Sequence, residues 1–339
     1  MTGFGGTDQL QLVRTPIPQL TAPEQVRVRI HAAALNRIDH FVLGGLPKAS
    51  YQFPHVVGSD GAGVVESVGP AVTGLAPGDR VMLNPGVSCG TCPACRAGDD
   101  PLCRQYRILG EHLEGTCAEY VVVPSTNVVP LPPSFSMADG AAFPLATLTA
   151  WRMLATRAAL QPGETVLIWG IGGGVALAAL QIAKLLGART IVTSGSDAKL
   201  AVAARLGTDL TLNHQETDVV RAVRDLTGVG ADVVVDSVGQ ATWDASLRAL
   251  RPMGRLVTCG ATTGPHVQLD IRKLFWFQWS ILGSTMGTRA EFAAVVGHAM
   301  RGALCPPIDS IRPLHEGRAA FDRLAAGTHT GKIVLEVTT

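Results

Sequence analysis

The sequence predicts an α/β protein of two domains, a β-rich one followed by a doubly wound parallel sheet. Three observations carry that expectation: a length of 339 residues, a change of texture near residue 150, and a glycine-rich turn joining a strand to a helix. Hydrophobic residues make up 47% and charged residues 16%, which supplies enough apolar surface to offset the entropy of ordering and excludes a disordered chain. The balance of 28 Lys plus Arg against 27 Asp plus Glu leaves +1, no electrostatic footprint for nucleic acid or an anionic membrane. The longest apolar stretch, Val166 to Leu180, is broken by four glycines and falls short of the ~20 residues that cross a bilayer. The N-terminus shows no basic-then-apolar leader, so a cytoplasmic protein is expected.

Strand-like runs fill the first 130 residues: VRVRIHAAAL (26–35), GVVESVG (63–69), DRVMLNP (79–85) and EYVVVP (119–124), separated by Gly, Pro and Asp turns. From about 150 the runs TVLIW (165–169), RTIVT (189–193), DVVVD (232–236) and RLVTC (255–259) alternate with helical patterns, the rhythm of a parallel sheet. Helix ends are readable: VALAALQIAKLL (175–186) stops at Gly187, and DAKLAVAARLG starts at a cap on Ser196 or Asp197 and ends with Gly207. Two further helical patterns, EFAAVVGHAMRG and EGRAAFDRLAAG, precede KIVLEV (332–337), expected to return to the first domain as a closing strand.

Between TVLIW and its helix lies GIGGGV, Gly170 to Val175. Gly170 and Gly172 lack Cβ and let the backbone approach a pyrophosphate, whose charge the N–H groups and dipole of the helix start stabilise. Gly173, Gly174 and Val175 complete the candidate cradle; the third glycine of the usual pattern is replaced by Val175 if the motif is counted from Gly170, or by Leu177 if counted from Gly172. About 20 residues on, NAD binding calls for an acidic side chain on the ribose. Instead Ser194, Gly195 and Ser196 follow the strand with Lys199 one turn later, small donors and a cation suited to a 2′-phosphate. NADP(H) is therefore expected over NAD(H), with Asp197 nearby as the complication.

Seven cysteines in a reducing compartment are not read as disulfides, and Cys89, Cys92, Cys95 and Cys103 fall in the spacing CxxCxxCx7C. Four thiolates on a short loop can close tetrahedrally around one Zn²⁺, leaving no site for water and giving the metal a structural role. An iron–sulfur cluster or free thiols are the alternatives. Cys117, Cys259 and Cys305 read as small buried hydrophobes, with Cys259 at a strand end the one to examine for reactivity.

With these motifs in this order, the chain resembles the medium-chain dehydrogenase/reductases, the superfamily of zinc alcohol dehydrogenases and quinone oxidoreductases. AAALNRIDHF (32–41), VVGSDGAGVVESVGP (56–70), GDRV (78–81), FPLATLTAW (143–151), DSVG (236–239) and HTGKIVLEV (329–337) extend the likeness over nearly the whole chain. The resemblance implies a GroES-like catalytic domain (1–146, with the zinc lobe at 86–104), a Rossmann cofactor domain (147–285), a return to the first domain (286–339), and an active site in the cleft between them. It also implies a catalytic zinc in the alcohol dehydrogenases, but the matching ligand positions here are Asn36, Ser59 and Leu145, none a good zinc ligand. His40, His55 and His112 form no HxxH or HxxxH pair that would rebuild the site.

Without a Lewis acid, plain alcohol oxidation is disfavoured, whereas hydride addition to an enone or quinone spreads its charge over a conjugated system. The expected activity is therefore NADPH-dependent reduction of small conjugated carbonyls or quinones. An alcohol or aldehyde dehydrogenase is the first alternative and a non-catalytic NADPH-binding protein the second. By resemblance, Asn36 donates to a carbonyl oxygen, Arg37 adds charge, Asp39 orients its neighbours and Thr149 lies near the nicotinamide. The cofactor residues carried over are Gly172, Gly173, Gly174, Ser194, Lys199, His214 near a 2′-phosphate, and Lys332 toward phosphate. LFWFQWSILGS (274–284) places Phe275, Trp276, Phe277 and Trp279 before a sheet-edge strand, the region expected to pair two cofactor domains in a homodimer. Similar proteins open with a strand ahead of GFGG, which here follows Met1 almost directly.

Overall fold

Alternation from residue 25 onward becomes strand β1 (Gln25–Ala34), in which Val26, Val28 and Ile30 are fully buried and the arginines between them face outward. A computed structural model describes residues 1–46 and 51–337. In chain order, β1 is followed by β2 (Asp60–Val68), β3 (Arg80–Leu83), β4 (Gly86–Val87), β5 (Arg107–Ile108), β6 (Tyr120–Pro124) and β7 (Val128–Pro130). The helix Pro144–Trp151 leads to β8 (Thr165–Ile168), β9 (Arg189–Ser194), β10 (Leu210–Asn213), β11 (Ala231–Val235), β12 (Leu250–Thr258) and β13 (Ser280–Gly283), and the chain closes with β14 (Ile308–Pro313) and β15 (Lys332–Glu336).

The chain divides into two compact units, Met1–Ala146 with Thr288–Thr339, and Thr147–Gly287. In the first, a seven-stranded sheet runs β14-β15-β1-β2-β3-β7 with β6 also paired to β1. Its apolar face packs Val26, Val28, Ile30, Val65, Val81 and Val121 into one cluster. This is the GroES-like architecture. The closing strand returns as expected, with β15 antiparallel to β1.

The second unit is a six-stranded, all-parallel sheet in the order β10-β9-β8-β11-β12-β13. From β8 the chain first winds one way to β9 and β10, then crosses back to β11, so the order reverses beside β8, the place where open α/β sheets take ligands at their carboxyl ends. Buried Leu167, Ile191, Val234 and Leu256 from four neighbouring strands knit its core. The short strand β10 and the helix Val219–Thr227, capped by the Asp218 side chain on the Arg221 N–H, fall in a stretch whose mixed polarity hid them from the sequence reading.

Candidate functional site

Register explains why three distant residues of the first unit meet. Ala34 pairs with Asp60 of β2 on one side and with Val334 of β15 on the other, so the end of β1, the start of β2 and the start of β15 converge. Asn36 leaves β1 as the cap of the helix Arg37–Gly44, with its backbone N–H donating to Asp39 Oδ2 at 2.7 Å. Gly331, at φ +99° and with Pro307 O only 2.4 Å from where a Cβ would lie, turns the chain into β15 and fixes the entry of Lys332.

A buried polar cluster results. The Lys332 ammonium donates to Asn36 Oδ1 at 2.5 Å and to Asp60 Oδ2 at 3.0 Å, and Asn36 Nδ2 donates to the same Asp60 oxygen at 2.9 Å. The other Asp60 oxygen accepts the Leu145 backbone N–H at 2.9 Å. Ser59 Oγ donates to Asp39 Oδ1 at 3.2 Å. Burial pushes the Asp39 carboxyl up to about 7, against the pull of the Asn36 N–H and the Lys332 charge and with a further push from Asp60. Arg37, on the first turn of that helix, has its guanidinium lowered by burial.

Two expectations change here. Lys332 does not reach for phosphate: its side chain is 4% exposed and its ammonium is directed to Asp60 and Asn36, because a buried carboxylate needs a counter-charge. Asn36 is not a donor held ready for substrate, since its amide already serves Asp60 and accepts from Lys332. Asp60 was missed. The signal was present in VVGSDGAGVV, where an acid inside a buried apolar run demands a partner, and in KIVLEV, where a lysine opens an equally apolar strand.

The residues here do not fit a catalytic zinc. Asn36, Ser59 and Leu145 offer an amide oxygen, a hydroxyl and an alkyl chain, and an ammonium already lies on the amide oxygen and the carboxylate that a cation would need. His40, His55 and His112 do not converge on the cluster's bonds: His55 Nε2 meets Gly110 O at 2.9 Å, His112 Nδ1 accepts the Ile108 N–H at 3.2 Å, and the His40 imidazole is lowered by burial and by Arg37.

The four lobe cysteines do fit a metal. Their Sγ atoms lie within 4.8 Å of one another, with Cys89–Cys95 at 3.9 Å and Cys92–Cys95 and Cys89–Cys103 at 3.5 Å. A tetrahedron of thiolates around zinc at ~2.3 Å has edges of about 3.8 Å. Backbone N–H groups of Cys92 and Gln105 point at Cys89 Sγ and Cys103 Sγ, at 3.4 and 3.3 Å, the outer hydrogen bonding that favours thiolates. Donation from Thr91 and Cys92 brings the Cys89 thiol down to about 6. Among the described residues this is the one cluster of three or more His, Cys, Asp or Glu able to hold a metal ion. Burial, and after it the Asp236 charge, pushes the half-buried Cys259 thiol up to about 12, which disfavours the thiolate. Cys305 is exposed rather than buried, and Cys117, in contact range of Gly58, is raised by burial and by Asp39.

In the second unit, Gly170 and Gly172 both take positive φ, and a Cβ on Gly172 would lie 2.6 Å from Lys199 Cδ, so the lysine stem lies directly over the glycine turn. The helix Gly174–Leu185, with Val175 in its first turn, begins at Gly173 with no side-chain cap, leaving its first N–H groups to a ligand. Ser194 ends β9 beside Asn213 of β10, and His214 donates its backbone N–H to Ser194 O at 3.1 Å. Asp197, the complicating acid, accepts from Asn213 Nδ2 at 2.9 Å. Thr149 Oγ1 is buried without a hydrogen-bond partner, a hydroxyl suited to a bound group. These features fit a nicotinamide dinucleotide. At the end of β11, Asp236 accepts from the Val238 and Gly239 N–H groups and from the Thr242 and Ser246 hydroxyls, so the DSVG turn is internally satisfied.

Comparison with known proteins identifies the class. Residues 22–133 match the alcohol dehydrogenase GroES-like domain and residues 174–300 the zinc-binding dehydrogenase family. An alcohol dehydrogenase of Geobacillus stearothermophilus is 31% identical over 97% of this chain and 96% of its own length. A quinone oxidoreductase of Mus musculus is 29% identical over 98% of this chain and 95% of its own. A crystal structure of an NAD-dependent alcohol dehydrogenase superposes with a TM-score of 0.96 at 44% identity, covering 100% of this chain and 98% of that one. The chain belongs to the zinc-type medium-chain dehydrogenase/reductase superfamily and is an oxidoreductase of that class.

Proposed function

We propose that this protein is an NADP(H)-dependent reductase of conjugated carbonyls or quinones that carries one structural zinc on Cys89, Cys92, Cys95 and Cys103 and uses no catalytic metal. One observation carries the reading: the Lys332 ammonium lies on Asn36 Oδ1 and Asp60 Oδ2, so a divalent ion would meet a like charge and no thiolate or imidazole. A bound nicotinamide dinucleotide supplies the hydride. The chain's own residues hold the dinucleotide by its phosphates at Gly172, Gly173, Gly174 and the following helix start, with Thr149 toward the nicotinamide. Ser194, Lys199 and His214 flank the position of a 2′-phosphate, where Asp197 is already bonded to Asn213. Asn36 and Asp39 act as positioning residues, holding Lys332 and the start of the helix.

Metal counting tests this directly. One zinc per chain, turnover of a quinone and an enal that survives mild chelation, and no ethanol oxidation are expected. Two zincs per chain would sink the reading in favour of a second one, an NAD-dependent alcohol dehydrogenase, which the name of the 44%-identical structure favours. For the cofactor, Lys199→Glu is expected to weaken NADPH at least tenfold more than NADH, measured by fluorescence titration, because attraction to the 2′-phosphate becomes repulsion.

A homodimer through the second unit is part of the same proposal. Phe277 and Trp279 stack at 5.0 Å and pack inward, but Phe275 and Trp276 are 65% and 76% exposed beside β13, the sheet's edge strand. Sedimentation of a monomer at micromolar concentration would remove it.

A further inference from the structure

We propose that a cavity in the first unit, between β1, β14, β15 and the helix Met137–Ala142, binds a small hydrocarbon amine, whose ammonium is held by His31 Nε2 and the Glu336 carboxylate. The site stands apart from the reductase reading: Glu336 lies four positions along β15 from Lys332, roughly 13 Å at the rise of an extended strand.

Register builds the cavity. Ala32 of β1 pairs with Glu336 of β15, and Val334 of β15 pairs with Ile311 of β14, so these four residues share one face of the sheet. In β1 the register against β2 slips between Ile30 and Ala32, which makes His31 an extra residue, a bulge of the kind that re-aims a side chain. The helix Met137–Ala142 packs against β1 and β15 without filling the space between them, and a cavity of 450 Å³ remains. That is room for a ligand of modest size.

The lining defines the occupant. Its walls are mostly apolar, with Met137, Ala138, Val334 and Val337 among them. Glu336 is the one charged residue of the lining, and it is exposed, so its carboxylate sets a negative potential at the rim. His31 Nε2 is buried without a hydrogen-bond partner among the described residues, a cost that a ligand removes. Burial, and after it the Arg29 charge, lowers the His31 imidazole, so at neutral pH it is uncharged and offers one nitrogen as an acceptor. Ser136 adds no donor, because its hydroxyl donates to Asp139 Oδ2 at 2.7 Å. The polar groups left for a ligand are therefore two acceptors, one of them anionic, and no cation lines the space. An anion is disfavoured there. An ammonium on a short hydrocarbon body satisfies both acceptors with its three hydrogens and covers the apolar walls.

Three probes test the assignment. Phenethylamine, 2-phenylethanol and phenylacetate share one hydrocarbon body and differ in charge. Each is titrated into zinc-loaded full chain labelled with ¹³C at the methionine methyls, the Met137 signal being the one absent from Met137→Leu. Phenethylamine is expected to shift that signal with a Kd of about 1 mM, about fivefold tighter than 2-phenylethanol, with phenylacetate weakest. Glu336→Gln is expected to bring the amine down to the affinity of the alcohol, and His31→Leu to weaken amine and alcohol alike by about threefold. Glu336 is exposed, so its variant keeps the test decisive even where His31→Leu fails to fold. An amine bound no more tightly than the alcohol or the acid, an amine affinity unchanged in either folded variant, shifts at other methionines without Met137, or no shift with any probe up to about 10 mM would overturn the site and leave the reductase reading standing.

Discussion

The four-cysteine lobe and the Asn36–Asp60–Lys332 cluster belong to the same unit and answer the same problem, concentrated negative charge, in opposite ways. In the lobe, four sulfurs lie within 4.8 Å of one another on a mostly solvent-touched loop, and the nearby N–H groups favour thiolate over thiol. Such an arrangement suits a cation recruited from solution. In the cluster, Asp60 is fully buried and its cation arrives covalently attached, on the first residue of the closing strand. A recruited metal can be exchanged and has Lewis acidity; a tethered ammonium cannot leave and offers hydrogen bonds. The difference separates a site suited to a recruited metal from one whose charge is already balanced within the chain.

The largest effect is expected in the lobe. Cys92→Ser removes one of four thiolates, and since structural zinc binding in small sites is worth about 10–16 kcal/mol, its loss should lower zinc content from one per chain toward zero and unfold the 86–104 segment. Elemental analysis and proteolysis within that segment check this; retained zinc at full stability would show that three thiolates suffice. Next comes the cluster. Lys332→Met leaves Asp60 buried without a counter-charge and should destabilise the chain by about 3–5 kcal/mol, whereas adding Asp60→Asn should recover most of that loss. Urea melts at neutral pH measure both, and additive losses would mean that the two residues are not coupled.

Much of the fold was legible because its signals are periodic. The texture change at 150, the apolar helix that stops before Gly187 and the apolar closing strand each correspond to an element of the structure. Local chemistry was legible too, in the cysteine spacing and the glycine turn. What the sequence concealed is pairing across distance. Asn36 and Lys332 are separated by 296 positions and Asp60 lies between them, so only the antiparallel register of β15, β1 and β2 shows that the amide, the acid and the amine form one cluster. Read singly, Asn36 looked like a free donor and Lys332 like a phosphate ligand. Cys259, read as a small buried hydrophobe worth examining for reactivity, is half-buried, and its thiol is pushed up by burial and by Asp236.

The smallest effect distinguishes the cluster's two acids from each other. Asp39 is bonded to the Asn36 N–H and Ser59 hydroxyl and faces Asp60, Lys332 and Cys117, and its carboxyl is pushed up to about 7 from 3.8, first by burial. Between about pH 4 and 7 the folded chain therefore holds a proton that the unfolded chain has released, so stability falls as pH rises through that window, by at most ~1.4 kcal/mol per pH unit from this group. Asp39→Asn keeps an acceptor for the Asn36 N–H and removes the titration. Thermal melts from pH 4 to 8 should show the wild type losing stability relative to Asp39→Asn across that range and running parallel to it above pH 8. A difference that stays constant from pH 4 to 8 would mean that Asp39 is already ionised when folded, and that the Asn36 N–H and the Lys332 charge outweigh its desolvation.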